Sequence, residues 1–193
     1  VAFCMMLLSC GGKYGKCAET SNGLPAIFPD YTGVTVPINI APLNFEIKDA
    51  KHVKAVVKLG GKQIMEINGG SVVEFPEKDW KRLLAKAAGK TLEVKVSEWS
   101  EKHPDGISYK PFTVSVSADS IDPWIAYRLV PPGYELWNRM GIYQRNIENF
   151  TQETIIKNSQ NNGGCVNCHS FCNYSPKNWL FHARGEGGST VIT

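Results

Sequence analysis

A cluster of reactive side chains lies in the stretch NNGGCVNCHSFCNYS, residues 161–175. It holds three of the six cysteines and one of the four histidines, at Cys165, Cys168, His169 and Cys172. The residues from Cys165 to His169 match the C-x-x-C-H signature of covalent c-type haem attachment. Two thiols at this spacing reach the two vinyl groups on one porphyrin edge, and the imidazole that follows becomes the proximal iron ligand. The spacing therefore predicts haem c bound through Cys165, Cys168 and His169.

The sixth coordination position of such an iron has two candidate ligands, Met140 in WNRMGIY and His182 in WLFHARG. Met ligation would raise the reduction potential of the iron, and His ligation would lower it. Met140 has the alternative role of a side chain that fills the core, and His182 that of a hydrogen-bonded structural histidine. An iron without a sixth ligand would indicate a sensor or a small-molecule site rather than electron transfer alone.

The residues around the motif also suit a flat cofactor. Gly163-Gly164 would let the backbone pass close to a macrocycle. The nearby aromatic side chains are expected to wall the haem: Phe171, Tyr174, Trp179 and Phe181. Haem attachment has no use for the third thiol, Cys172. One hypothesis pairs it with Cys17 in a disulfide that would tie the N-terminal segment to the site, although sequence alone does not determine disulfide pairing.

Two other uses of the cysteine cluster compete with haem. Zinc would have four ligands of the right chemical type: Cys165, Cys168, His169 and Cys172. Against zinc, the adjacent residues Cys168 and His169 rarely both coordinate one tetrahedral ion. A disulfide would join Cys165 to Cys168 as a redox pair, or would bridge either of them to Cys172. In that case the cysteines brace a scaffold and no cofactor is bound.

The elements that must position this cluster are predicted to be mainly β. Alternating apolar positions recur between residues 34 and 130, in KHVKAVVKL, KQIMEING, TLEVKVSEW, KPFTVSVSA and IDPWIAYRLV. One amphipathic helix interrupts them in PEKDWKRLLAKAAGK, with four apolar residues at helical spacing and a glycine at its end: Trp80, Leu83, Leu84, Ala87 and Gly89. Residues 34–130 are therefore predicted to form an immunoglobulin-like antiparallel β-sandwich with one short helix. We expect an irregular C-x-x-C-H segment over residues 131–178 and a terminal β-hairpin over 179–193.

The N-terminal residues indicate export. The segment Leu7-Leu8-Ser9-Cys10-Gly11 closes an apolar run and resembles the bacterial lipobox, in which the cysteine receives a diacylglycerol. Residues 1–10 are thus predicted to be a signal remnant, and the Gly-, Ser-, Asn- and Pro-rich residues 11–33 a linker. We expect an exported protein that is lipid-anchored through Cys10 to a bacterial membrane, facing the periplasm or the cell surface. Its cysteines would then meet an oxidising environment.

Composition argues against two functional classes. The net charge is +3 and the basic residues are scattered among acidic ones, so nucleic acid is not a predicted partner. The sequence carries no evident Ser-His-Asp set, paired carboxylates or phosphate-binding loop, which favours a role other than enzymatic catalysis. The predicted partners are therefore the membrane, through the lipid anchor, and a redox protein.

Three segments resemble a group of Bacteroidetes lipoproteins: FPDYTGVTVPINIAPLNFEI, SIDPWIAYRLVPPGYELWNRMGIYQRNIENF and GGCVNCHSFCNYSPKNWLFHARG. In that group a β-sandwich-like domain and a C-x-x-C-H segment precede a TolB-like six-bladed propeller, and its members are labelled cytochrome c-like or cytochrome c biosynthesis proteins. The resemblance implies that residues 179–193 begin a truncated β-propeller. We expect a membrane-anchored, c-type cytochrome-like lipoprotein that transfers electrons. The alternative is a non-enzymatic binding or scaffold lipoprotein whose clustered cysteines form disulfides.

Overall fold

A computed structural model of the chain describes residues 14–132, 139–174, 178–185 and 188–192. Strands hold 46% of the residues and helices 11%, which confirms the predicted mainly β class with one short helix. The chain divides into two compact units: unit 1 runs to residue 38 and over 42–120, and unit 2 comprises 39–41 and 121 onwards. No helix in the described ranges is long and apolar enough to cross a membrane. The predicted lipidation site Cys10 lies outside the described residues.

Unit 1 is built around one large sheet. Its elements are Glu19–Thr20 (β1), Thr35–Val36 (β2), Phe45–Glu46 (β3), Ala50–Leu59 (β4), Lys62–Gly69 (β5), Val72–Val73 (β6), Glu77–Ala87 (α1), Thr91–Ser100 (β7), Ile107–Ser108 (β8) and Phe112–Val116 (β9). Antiparallel β4 and β7 form the centre of a seven-stranded sheet, with β5 at the edge next to β4, and β8 and β9 pair with successive stretches of β7. Strands β1 and β2 add parallel pairs, while β3 and β6 form a separate two-stranded sheet.

The core of unit 1 lies between the large sheet and a layer made by α1, β3 and β6. Side chains alternate along a strand, so Val53, Ala55 and Val57 of β4 are fully buried on one face of the sheet. The buried face of α1 consists of the four residues predicted from helical spacing: Trp80, Leu83, Leu84 and Ala87. Phe45 and Trp80 line one small cavity together with sheet residues, so the two layers meet there.

Unit 2 consists of two three-stranded antiparallel sheets. Its strands are Trp124–Leu129 (β10), Gly141–Asn146 (β11), Gln152–Lys157 (β12), Val166–Phe171 (β13), Trp179–Ala183 (β14) and Ser189–Ile192 (β15). One sheet has the order β10-β11-β12 and the other β13-β14-β15. Ile142 of the first sheet packs with Trp179 and Phe181 of the second in one apolar cluster. The two sheets therefore share a core within this unit.

Three predicted boundaries need correction. Residues 11–33 were expected to be a linker, but β1 lies within them and pairs with β8, and Ile27 is buried in the core of unit 1. Strand β10 was expected in the sandwich over residues 34–130, but it pairs along its whole length with β11 and belongs to unit 2. The segment 131–178 was expected to be irregular, but it contains β11, β12 and β13. Amide-rich sequences such as Gln144-Arg145-Asn146 hide the alternation that would have marked these strands. The terminal hairpin is present as β14 and β15, and its role as the start of a propeller stays a prediction.

Candidate functional site

The C-x-x-C-H motif lies on strand β13, at a break in its pairing with β14. The ladder is interrupted between Asn167 and Ser170, where Cys168 and His169 both stand opposite a single residue of β14. Such a β-bulge adds one residue to a strand and re-aims the side chains at that point. Cys168 takes a φ of 56°, in the left-handed region that residues with a Cβ seldom occupy, and its side chain is exposed. The motif is therefore held in a strained backbone conformation.

His169 lies at the edge of an aromatic stack. Its ring meets that of Phe171 edge-on, with centroids 5.7 Å apart, and Phe171 stacks on Trp179 at 5.7 Å. Trp179 continues the stack to Phe181 at 5.3 Å. The imidazole is half-buried, and its Nδ1 atom is enclosed without a hydrogen-bond partner. Buried polar atoms are normally paired, so this nitrogen is an unusual feature of the site.

The aromatic residues predicted to wall a haem have a different part in the structure. Trp179 and Phe181 are nearly fully buried in the apolar cluster of unit 2, and Phe171 is half-buried against it. Trp179 and Phe181 fill the core of unit 2, because side chains alternate along β14 and both of these lie on the face that packs against Ile142. The side chain of Tyr174 lies outside the described residues.

The other thiol of the motif, Cys165, contacts a cation that sequence reasoning missed. The Arg128 guanidinium on β10 donates a hydrogen bond from Nη2 to the Cys165 sulfur at 3.4 Å. The Nε atom of Arg128 is buried without a partner. Arg128 is a charged residue inside the apolar strand sequence WIAYRLV, and this isolated charge was a signal that could have identified it.

A buried asparagine holds the segment that leads into the motif. Asn158 has no exposed surface, and its Oδ1 accepts a hydrogen bond from the Val166 backbone N–H at 3.3 Å. Its own backbone N–H donates to the Met140 carbonyl at 2.9 Å, and its carbonyl accepts from Gly163 at 3.0 Å. Asn158 therefore links the start of β11, the turn after β12 and the start of β13. One asparagine within an amide-rich stretch does not stand out in the sequence, so this role of Asn158 could not be predicted.

The glycine pair before the motif approaches the protein's own backbone. Gly163 has a φ of 76°, which favours glycine. A Cβ on Gly164 would lie 2.1 Å from the Arg184 carbonyl oxygen and 2.9 Å from the Asn161 carbonyl oxygen. The close approach at Gly164 is made by the chain itself at the turn into β13, and an approach to a macrocycle stays a prediction.

The two candidate sixth ligands differ in position. Met140 is buried, 8% exposed, directly before β11, as its alternative role in the core predicts. His182 pairs with Asn167 across the ladder, and its Nδ1 lies 3.2 Å from the Thr190 hydroxyl. His182 alternates with the buried residues of β14, so it lies on the face opposite the aromatic stack that His169 contacts. His169 and His182 therefore lie on opposite faces of this sheet, and a role for His182 as the sixth ligand stays a prediction.

The described cysteines are free thiols. Cys17 and Cys165 are half-buried, whereas Cys168 and Cys172 are exposed. In the described ranges, no three His, Cys, Asp or Glu side chains are gathered closely enough to hold a metal ion. The proposed disulfide between Cys17 and Cys172 stays a prediction.

Comparisons with known proteins add no assignment to this geometry. No protein-family model matches the chain, and the comparison with curated proteins found no match. The resemblance to Bacteroidetes lipoproteins therefore stays a prediction that rests on the quoted segments.

Proposed function

We propose that the protein binds haem c through Cys165, Cys168 and His169 and transfers electrons to a redox partner. The observation that carries the proposal is the bulge in β13. It turns the Cys168 thiol to solvent and keeps His169 beside it, half-buried, with one ring nitrogen lacking a partner. A strained backbone at reactive side chains is typical of functional sites.

The donor set suits covalent attachment. Cys165 and Cys168 would hold the haem, each by a C–S bond formed when its S–H adds across one vinyl group, with the thiol hydrogen going to the other vinyl carbon. No oxidant is consumed, and the reaction requires free thiols, which Cys165 and Cys168 are in this structure. When bound, a haem would supply one-electron transfer.

The remaining residues would orient the site. The stack from Phe171 to Trp179 restricts the His169 ring on one side. Arg128 restricts the position of the Cys165 sulfur by its hydrogen bond. Asn158 ties the first strand residue of the motif, Val166, to the core of unit 2.

A cysteine-to-serine series tests this proposal. The full chain is produced with an export signal and haem-maturation machinery, purified and denatured, and its covalently retained haem is measured from the visible absorption band. We expect one haem in the wild type and none in the double variant Cys165→Ser/Cys168→Ser. The matched control is Cys172→Ser, which removes an exposed thiol outside the motif and should retain one haem. A colourless wild-type chain, or a Cys172→Ser variant that loses haem like the double variant, would contradict the proposal.

The second candidate is a scaffold or binding lipoprotein whose cysteines form disulfides. One observation favours it: the aromatic side chains expected around a haem are already packed in the core of unit 2. In this account, exported protein is colourless and has no free thiol among its four described cysteines: Cys17, Cys165, Cys168 and Cys172. Thiol labelling followed by peptide mass analysis of the same preparation separates the two candidates.

A further inference from the structure

The buried face of strand β7 changes character at its end. Leu92, Val94 and Val96 point into the core of unit 1, and the next residues on that face are Glu98 and Ser100. Both are 7% exposed. A carboxylate at a core-facing position is uncommon, because removing it from water is costly unless it is paired. Packing of the apolar core therefore does not explain the buried carboxylate at the end of this strand.

Glu98 accepts a hydrogen bond from one hydroxyl group and lies near a second. The Ser100 hydroxyl donates to its Oε1 at 3.4 Å. Burial, and next the negative charge of Glu98, raise the pKa of Tyr109 to about 12, so this neighbour stays a neutral phenol at physiological pH. In the described ranges, Glu98 forms no ion pair with a lysine, arginine or histidine. Its carboxylate is thus buried and hydrogen-bonded, but lacks a cation.

This carboxylate lines an open polar pocket within unit 1, together with Ser100, Tyr109 and charged residues at the rim. Four basic residues line the pocket: Lys48, Lys51, Lys102 and His103. Lys51 and His103 lie against acids, at 3.2 Å from Glu101 and 3.0 Å from Glu19, and neither Lys48 nor Lys102 forms an ion pair with Glu98. A metal ion would need several ligands, and no group of three suitable side chains occurs in the described residues. The missing partner is therefore best supplied by an organic cation that enters the pocket.

We propose that this pocket binds a small primary amine, whose ammonium group pairs with Glu98. An ammonium group supplies three donors and one positive charge, which matches the unused acceptor sites and the charge of the carboxylate. Charge-assisted hydrogen bonds of this kind are stronger than those to a neutral hydroxyl. The site lies in unit 1 and is independent of the cysteine cluster in unit 2.

A matched pair of probes separates charge recognition from hydroxyl recognition. The full chain, labelled with ¹⁵N, is titrated at neutral pH with ethanolamine and separately with ethylene glycol, which replaces the ammonium by a hydroxyl at equal size. We expect saturable chemical-shift changes with ethanolamine at Ser100, His103 and Tyr109, and none with ethylene glycol. Since hydrogen bonds to charged groups are the strong ones, the variant Glu98→Gln should bind ethanolamine about tenfold or more weakly. The control Glu101→Gln changes an exposed rim carboxylate and should alter the affinity by less than about twofold.

Three outcomes would overturn the proposal. Equal shifts with both probes would identify a hydroxyl site, and no saturable shift with ethanolamine would exclude amine binding. A Glu98→Gln variant that keeps its wild-type affinity would show that the carboxylate does not take part in recognising the amine. Because the comparison of the two probes uses the wild-type chain, the proposal remains testable even if Glu98→Gln fails to fold.

Discussion

Replacing Gly164 by alanine should displace the strand that carries the cysteine motif. The added Cβ would lie 2.1 Å from the Arg184 carbonyl oxygen and 2.6 Å from the Asn161 side-chain nitrogen. Ordinary contacts of a Cβ begin near 3.4 Å, so the two backbone segments must separate. Overpacking of this kind costs about 1–3 kcal/mol. That free energy corresponds to an increase of about 5- to 150-fold in the population of opened molecules.

Native-state hydrogen exchange measures this opening residue by residue. The amides to follow are those of Val166, which donates to Asn158, and Arg184, which donates to the Cys165 carbonyl at 2.8 Å. Both should exchange about 5- to 150-fold faster in Gly164→Ala.

The matched control is Gly70→Ala in unit 1, where a Cβ would meet nothing within 4 Å. It should leave exchange in unit 1 unchanged or slow it slightly, since alanine restricts the unfolded chain. Exchange of the Val166 and Arg184 amides within about twofold of the wild type in Gly164→Ala would refute the close approach described here.

Three further predictions concern stability, and a fourth concerns the pKa of Tyr109. Asn158→Ala removes the acceptor of the buried Val166 N–H and leaves a cavity. It should lower the free energy of unfolding of unit 2, measured by denaturant titration, by about 2–4 kcal/mol. A loss below about 0.5 kcal/mol would contradict the linking role of Asn158. Leu84→Ala at a fully buried position of α1 should destabilise unit 1 by about 2–5 kcal/mol by the same measurement, and an unchanged midpoint would mean that the helix does not cover the sheet. Because the folded pKa of Tyr109 is about 12 and its ordinary value is 10.0, the unfolded chain releases this proton first, and stability should fall as pH rises between these values. Ultraviolet titration of tyrosinate should show that Glu98→Gln lowers the pKa of Tyr109 but leaves it above 10.0, since burial is the larger cause. An unchanged pKa would mean that the charge of Glu98 does not act on Tyr109.

The mainly β class could be predicted from the sequence because the core-facing residues of unit 1 recur at the regular spacing of strands and of one helix. Strands β4, β5 and β7 lie where alternating residues predicted them, and α1 buries the four residues that share its apolar face. Each pattern arises because one face of the element is buried. It can therefore be recognised without knowing which strand lies next to that element.

The pairing of strands was harder to predict. The alternation in β10 indicated a strand, but its neighbour β11 follows after an amide-rich and aromatic stretch without a clear period. The bulge at Cys168 and His169 depends on the register against β14, which no local pattern encodes. Arg128 contacts Cys165 at a separation of 37 residues, and Asn158 joins Met140 to Val166, so both roles appear only in the folded chain.

The candidate site was therefore predicted in its residue types and spacing, and its surroundings were not. Cys165, Cys168 and His169 are close by covalent sequence alone. The prediction of an aromatic wall treated nearby residues as side chains available to a cofactor, although strand alternation directs Trp179 and Phe181 into the core of unit 2.

The mass of the intact mature chain, purified from the organism that makes it, tests the central claim most directly. The haem account predicts the mass of the polypeptide plus one covalently bound haem, with Cys165 and Cys168 unavailable to a thiol reagent. A chain without haem, in which Cys165 and Cys168 are bonded to each other or to Cys172, would contradict it.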